Sequence, residues 1–172
     1  MAEKPHLTSH SLNIRRARPE DAGVILSLIK ELAEYEKEPD AVLCTEDDIL
    51  RDGFGPVPRF TCLLADLDQQ TVAFALYFMK WSTWTGSPCL HLEDLFVKPA
   101  FRGHKVGFSL LVELAGIAVA EGCDRFEWDV LDWNTLARDF YEALGAGPKE
   151  GWLTYRLEGE ALAHLADRHK AT

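Results

Sequence analysis

This 172-residue chain has no apolar run long enough to cross a bilayer. Its best stretch, Val106 to Ala120, is interrupted by Glu113 and falls short of the roughly 18 to 20 residues that a spanning helix needs. Met1 to Ser11 is polar and lacks a signal-peptide core, so a cytoplasmic protein with a flexible leader over residues 1–11 is expected. The four cysteines, Cys44, Cys62, Cys89 and Cys123, have no CxxC spacing and no pattern shared with the histidines. Neither a disulfide framework nor a metal site is expected. Basic residues are scarce, 18 Lys and Arg against 28 Asp and Glu, for a formal net charge of -10. Nucleic acid and anionic membranes bind through basic patches, so neither is expected as a partner, whereas a cationic small molecule suits this balance. No repeat, low-complexity segment or Pro/Gly/Ser linker divides the chain, and residues 12–172 read as a single domain.

What is present is 47% apolar and 27% charged, enough for one hydrophobic core. Ile14 to Ala17 reads as a short strand. Pro19, Glu20 and Asp21 then mark a helix start that continues with Ala22, Ile25, Leu28, Ile29 and Leu32 on one face. Thr45 with Asp48 resembles a capping box ahead of a short helix ending at Gly53. Phe60 to Asp66 and Thr71 to Met79 read as a hairpin around Asp68-Gln69-Gln70, and Cys89 to Lys98 as the next strand. Gly107 to Glu121 carries helical periodicity through Phe108, Leu111, Val112, Ala115 and Val119, stopped by Gly122. Arg125 to Leu131 alternates as a strand. A helix capped by Asn134 and stopped by Gly145 comes next, and Trp152 to Leu157 reads as a closing strand. The order describes a mixed α/β domain around one central sheet.

Leu92-Glu93-Asp94-Leu95-Phe96-Val97 places two acids in an apolar strand and leads into a turn, Arg102-Gly103-His104-Lys105-Val106-Gly107, that opens a helix. A helix start has orphan N–H groups and a positive dipole end, and Arg102 offers a fork that matches phosphate oxygens. Spacing alone leaves two readings open, an anion site and a plain strand-to-helix turn built on glycine's backbone freedom.

That segment, together with Leu131-Asp132-Trp133-Asn134, Phe140-Tyr141 and Leu144-Gly145-Ala146, resembles the GNAT superfamily of acetyl-CoA-dependent N-acetyltransferases. Within it the chain is similar to the spermidine/spermine (diamine) acetyltransferases, especially their thialysine-acetylating branch. The similarity runs from Ile14-Arg15 through the 28–36 helix, Asp52-Gly53-Phe54-Gly55 and Ser82-Thr83-Trp84 to Glu150-Gly151-Trp152. The resemblance implies a mostly antiparallel twisted sheet of about six to seven strands, with about four helices on both faces, splayed at the acetyl-CoA site.

The resemblance also implies acetyl transfer from acetyl-CoA to a primary amine, with Glu93 as a water-mediated general base and Tyr141 as the general acid. Cofactor contacts are implied at Leu95, Phe96, Val97, Arg102, Gly103, His104, Lys105, Val106, Gly107, Asn134 and Tyr141. Acceptor contacts are implied at Tyr35, Glu36, Ser82, Trp84, Glu93, Asp94 and Glu150, and no metal is implied. Asp94 ranks behind Glu93, since a regular strand sends it to the opposite face unless a bulge intervenes. At position 82 polyamine-selective members carry an acid and this chain has serine, which favours a short diamine, thialysine or a lysine-like amine over spermine. The family turn reads Arg-Gly-x-Gly-x-Gly, and Lys105 replaces its middle glycine, where a side chain must avoid glycine-only angles. A homodimer is implied as well. Two alternatives stay open: an acetyltransferase for protein lysines or N-termini, and a weakly active CoA-binding regulatory relative.

Overall fold

Two local signals set the frame of the computed structural model, which describes residues 11–168. The Thr45 hydroxyl accepts the Asp48 N–H at 3.2 Å, and the Asp48 carboxylate accepts the Thr45 N–H at 3.0 Å. This capping box satisfies orphan donors at the start of α2 (Glu46–Phe54). Asp68 and Gln69 take positive φ values of 50° and 68°, the conformation that a two-residue hairpin turn needs. They join β2 (Thr61–Leu67) to β3 (Gln70–Ser82).

The remaining elements are β1 (Leu12–Arg16), α1 (Ala22–Tyr35), β4 (Ser87–Val97), α3 (Val106–Ala120), β5 (Arg125–Trp128), α4 (Thr135–Ala143) and α5 (Gly159–Asp167). The chain packs as two compact units, the first ending at Asp129 and the second starting at Val130. The first holds a five-stranded sheet in sequence order, antiparallel throughout except for the parallel β4–β5 pair. On one face α1 buries Ala22, Ile25, Leu28 and Leu32 against Ile49, Cys62, Leu64, Phe74 and Phe96. On the other, Ala73 and Ala75 lie opposite Val97 and Leu95. A Cβ on Gly107 of α3 would stand 3.5 Å from Val97 and 3.8 Å from Leu95. Small side chains on the sheet leave room for that helix to pack closely. No helix among the described residues is long and apolar enough to cross a membrane.

The mixed α/β class agrees with expectation, and four details do not. The sheet has five strands rather than about six to seven, because Trp152 to Leu157 joins no ladder among the described residues. Alternating apolar residues favour an extended chain but do not supply its partner. β5 stops at Trp128 rather than Leu131. With α5, an Ala- and Leu-rich segment that the sequence reading passes over, the described residues hold five α-helices, against about four expected. In α3 the buried positions are Val106, Leu110, Leu111, Leu114 and Ala118, whereas Phe108, Val112 and Val119 are exposed. That helix is apolar nearly all round, so periodicity could not select its inner face. The expected leader lies outside the described residues except for Ser11.

Candidate active site

The register of β4 against β3 breaks at one residue. Tyr77 lies opposite Leu92 and Leu76 opposite Asp94, so Glu93 has no cross-strand partner. An extra residue of this kind bends a strand and re-aims the side chains beyond it. Leu76 packs against the α1 core, and its partner Asp94 therefore shares that face. His91, opposite Phe78, lies on the same face two residues before the bulge. The bulge thus gathers His91, Glu93 and Asp94 on one side, an arrangement that a regular strand would forbid. β5 pairs with β4 from Cys89 to Leu92 and no further. Beyond that point the β5 side of Glu93–Val97 is paired to no strand among the described residues.

The chain leaves β4 through a short helical turn at Pro99–Phe101 and enters α3 at Val106. The Lys98 ammonium reaches the Glu31 carboxylate at 2.6 Å and ties the turn to α1. Gly103 has φ 83°, and a Cβ there would meet nothing within 4 Å. Lys105 sits at φ 61° and ψ 11°, so the side chain does not escape the left-handed region. That region is sparsely allowed for a non-glycine residue and costs roughly 1 to 2 kcal/mol. The Ser109 N–H donates to the Lys105 carbonyl at 2.9 Å as the first rung of α3. N–H groups ahead of that rung have no acceptor within the helix. The His104 ring folds back, its Nδ1 within 3.3 Å of the Phe101 carbonyl and 3.2 Å of the Arg102 carbonyl. The Arg102 Nε–H donates to the Val97 carbonyl at 3.1 Å, and its guanidinium carbon lies 4.3 Å from the Tyr35 ring centroid.

At the end of α1, Tyr35 also faces Phe96, with ring centroids 6.5 Å apart. The Asp94 carboxyl is pushed up to about 6 by burial first, then by the like charges of Glu93 and Glu36. Burial also raises Glu36 above the usual carboxylate range. Tyr35, Glu36, Glu93, Asp94, Phe96 and Arg102 therefore form one electronegative, aromatic-rimmed cluster, suited to a cation.

Ser82 and Trp84 are not in that cluster within the first unit. Ser82 is five positions beyond Tyr77 on β3, about 17 Å away at roughly 3.4 Å per residue. Its hydroxyl accepts the Thr85 N–H at 3.3 Å and helps close the β3–β4 hairpin. Trp84 stands at the hairpin tip and is 86% exposed. In the second unit, the Asn134 side chain accepts the Ala137 N–H at 3.3 Å and caps α4. Tyr141 lies on that helix beside Phe140, ring centroids 5.5 Å apart, and burial raises its hydroxyl above the ordinary phenol range. Glu150 is exposed in the segment between α4 and α5. Sequence reading misses His91, because a histidine in an apolar strand carries no signal until its neighbours are placed. Among the described residues no group of three or more His, Cys, Asp or Glu could hold a metal ion.

Residues 25–146 match the acetyltransferase (GNAT) family. Thialysine N-epsilon-acetyltransferase of Sus scrofa is 42% identical over 169 residues, covering 92% of this chain and 99% of that protein. Spermidine/spermine N(1)-acetyltransferase-like protein 1 of Homo sapiens is 39% identical over 163 residues, covering 89% of this chain and 23% of that protein. An integron cassette protein from the mobile metagenome of V. cholerae superposes with a TM-score of 0.78 at 27% identity, covering 91% of this chain and 98% of that one. On this combined ground the chain belongs to the GNAT acetyltransferase family and is an N-acetyltransferase.

Proposed function

We propose that the protein transfers an acetyl group from acetyl-CoA to the primary amine of a small cationic acceptor, thialysine, a short diamine or a lysine-like amine. The observation that carries this reading is the carboxylate cluster of Glu36, Glu93 and Asp94 beside the stretch of β4, Glu93 to Val97, that pairs with no β5 residue. Similarity to thialysine N-epsilon-acetyltransferases over nearly the whole chain supports the acceptor class. An alkyl ammonium with a pKa near 10 is no nucleophile, so a base must take its proton first.

The residues present fit acetyl-CoA by their chemistry: N–H groups at the start of α3 that have no acceptor within the helix, the cations Arg102 and Lys105 with the His104 ring beside them, and a stretch of β4 at Leu95, Phe96 and Val97 that pairs with no β5 residue. Bound there, acetyl-CoA supplies the activated thioester. Gly103 and Gly107 let the backbone approach phosphate, Val106 adds an N–H, and Asn134 supports the pantetheine arm. Glu93 takes the ammonium proton through water, the freed amine attacks the thioester carbonyl, and the Tyr141 hydroxyl protonates the departing thiolate. A phenol whose pKa is raised by burial remains protonated at neutral pH, as an acid must. Tyr35, Glu36 and Asp94 bind the cationic chain. The enzyme acts in the cytoplasm as a homodimer.

A second reading gives the base role to Asp94, favoured by its carboxyl near 6, a value suited to proton transfer around neutral pH. Glu93→Gln and Asp94→Asn, assayed for kcat with acetyl-CoA and thialysine, separate the two. The base variant loses roughly 100-fold or more in kcat, and the other mainly raises the amine KM. Unchanged kcat in Glu93→Gln removes Glu93 from the role.

A further inference from the structure

We propose that His91 is a positioning residue for the transfer: the imidazole Nε2–H holds the Glu93 carboxylate where it receives the proton of the acceptor ammonium. This rests on the reading of Glu93 as the base. His91 lies on β4 opposite Phe78, ring centroids 4.9 Å apart at 47°, and its side chain is only 12% exposed. Its Nδ1 is buried and makes no hydrogen bond among the described residues. Its Nε2 lies 3.6 Å from Oε2 of Glu93, whose side chain is 55% exposed.

A neutral imidazole has one donor and one acceptor nitrogen. A buried N–H without an acceptor is rarer and costlier than a buried lone pair without a donor. The neutral ring therefore keeps its proton off Nδ1, and its single N–H points toward Glu93. Glu93 needs such a partner, because at the bulge it has no cross-strand neighbour to restrict it. Asp94, the next residue on the strand, carries a like charge beside it. A ring fixed against Phe78 is the rigid element, and the exposed carboxylate is the mobile one.

The 3.6 Å separation exceeds hydrogen-bond length. Catalytic contacts are commonly long in a free enzyme and shorten when substrate enters. The proton balance is simple: the ammonium proton passes through water to Glu93, the nitrogen lone pair forms the amide bond, and His91 neither gains nor loses a proton.

The test is a double-mutant cycle on the full chain, with thialysine and acetyl-CoA as substrates. His91→Phe lowers kcat by roughly tenfold to a hundredfold, the scale for a misplaced catalytic group, and leaves both KM values within about twofold. It also moves the acidic limb of the kcat/KM pH profile. His91→Gln, whose amide N–H reaches toward the same carboxylate, recovers most of the loss. In a Glu93→Gln background, His91→Phe has no further effect. Equal losses in both backgrounds, or a glutamine variant no better than phenylalanine with an unmoved pH limb, overturn the proposal. If the phenylalanine variant does not fold, His91→Leu is read in the same way. A wild-type rate in Glu93→Gln alone defeats the base assignment, whereas a slow Glu93→Gln with a wild-type His91→Phe defeats only the role of His91.

Discussion

The guanidinium carbon of Arg102 stacks 4.3 Å from the ring centroid of Tyr35, while its Nε–H holds the Val97 carbonyl. One side chain thereby joins the turn before α3 to the end of α1, where Tyr35 and Glu36 stand. A cation over an aromatic ring contributes about 1 kcal/mol, roughly fivefold in an equilibrium constant. Tyr35→Leu is expected to weaken CoA binding by about that factor and to raise the amine KM as well. Titration calorimetry with CoA, paired with steady-state kinetics, checks both. A CoA affinity unchanged in Tyr35→Leu means the stack does not support the turn.

Asp94 ties stability to pH. Its carboxyl is raised from 3.8 to about 6, so deprotonating it is harder in the folded chain than in the unfolded one. Its contribution is full below the ordinary carboxylate range and is lost as pH rises through about 6. Asp94→Asn should therefore be more stable than the parent at pH 8, by about 2 to 3 kcal/mol, since each pKa unit is worth roughly 1.4 kcal/mol. The gap should close below about pH 4. Urea unfolding across that range measures it, and a gap independent of pH contradicts the assignment.

Lys105 at φ 61° makes the cofactor turn a place where stability and affinity separate. Lys105→Gly relieves left-handed strain and should stabilise the chain by about 1 kcal/mol. The same change removes an ammonium from the turn, so CoA should bind more weakly and with a shallower salt dependence. Thermal melts and calorimetry at two salt concentrations give the two signs. Tighter CoA binding by the glycine variant shows instead that the lysine hinders the turn.

Tyr141→Phe removes a hydroxyl and little volume. Its kcat should fall about 100-fold to 10,000-fold with the amine KM nearly constant. A raised KM at normal kcat would make Tyr141 a binding residue only.

Much of the frame is legible in the chain because it is written in local chemistry. The Thr45–Asp48 box, the Asp68-Gln69 turn and the stops at Gly122 and Gly145 each need only a few neighbouring residues, and each is found in place. The inner face of α3 is not legible, since an all-apolar helix has no stripe to read. Trp152 to Leu157 fails as a strand because pairing depends on a distant edge that alternation cannot reveal. Glu93 stands out by its resemblance to a family, yet its lack of a strand partner and its closeness to His91 come from a register break between β3 and β4. Arg102 reads in sequence as a phosphate fork, and its stacking on Tyr35 requires the fold to bring residues 35 and 102 together.

The central claim, acetyl transfer to a small cationic amine, is tested most directly by mass-detected acetylation with acetyl-CoA and a panel of thialysine, lysine, putrescine, spermidine, spermine and a lysine-containing peptide. The predicted result is the highest kcat/KM for thialysine or a short diamine, with spermine and the peptide well behind. Acetylation of the peptide alone, or a clear preference for spermine, would contradict it.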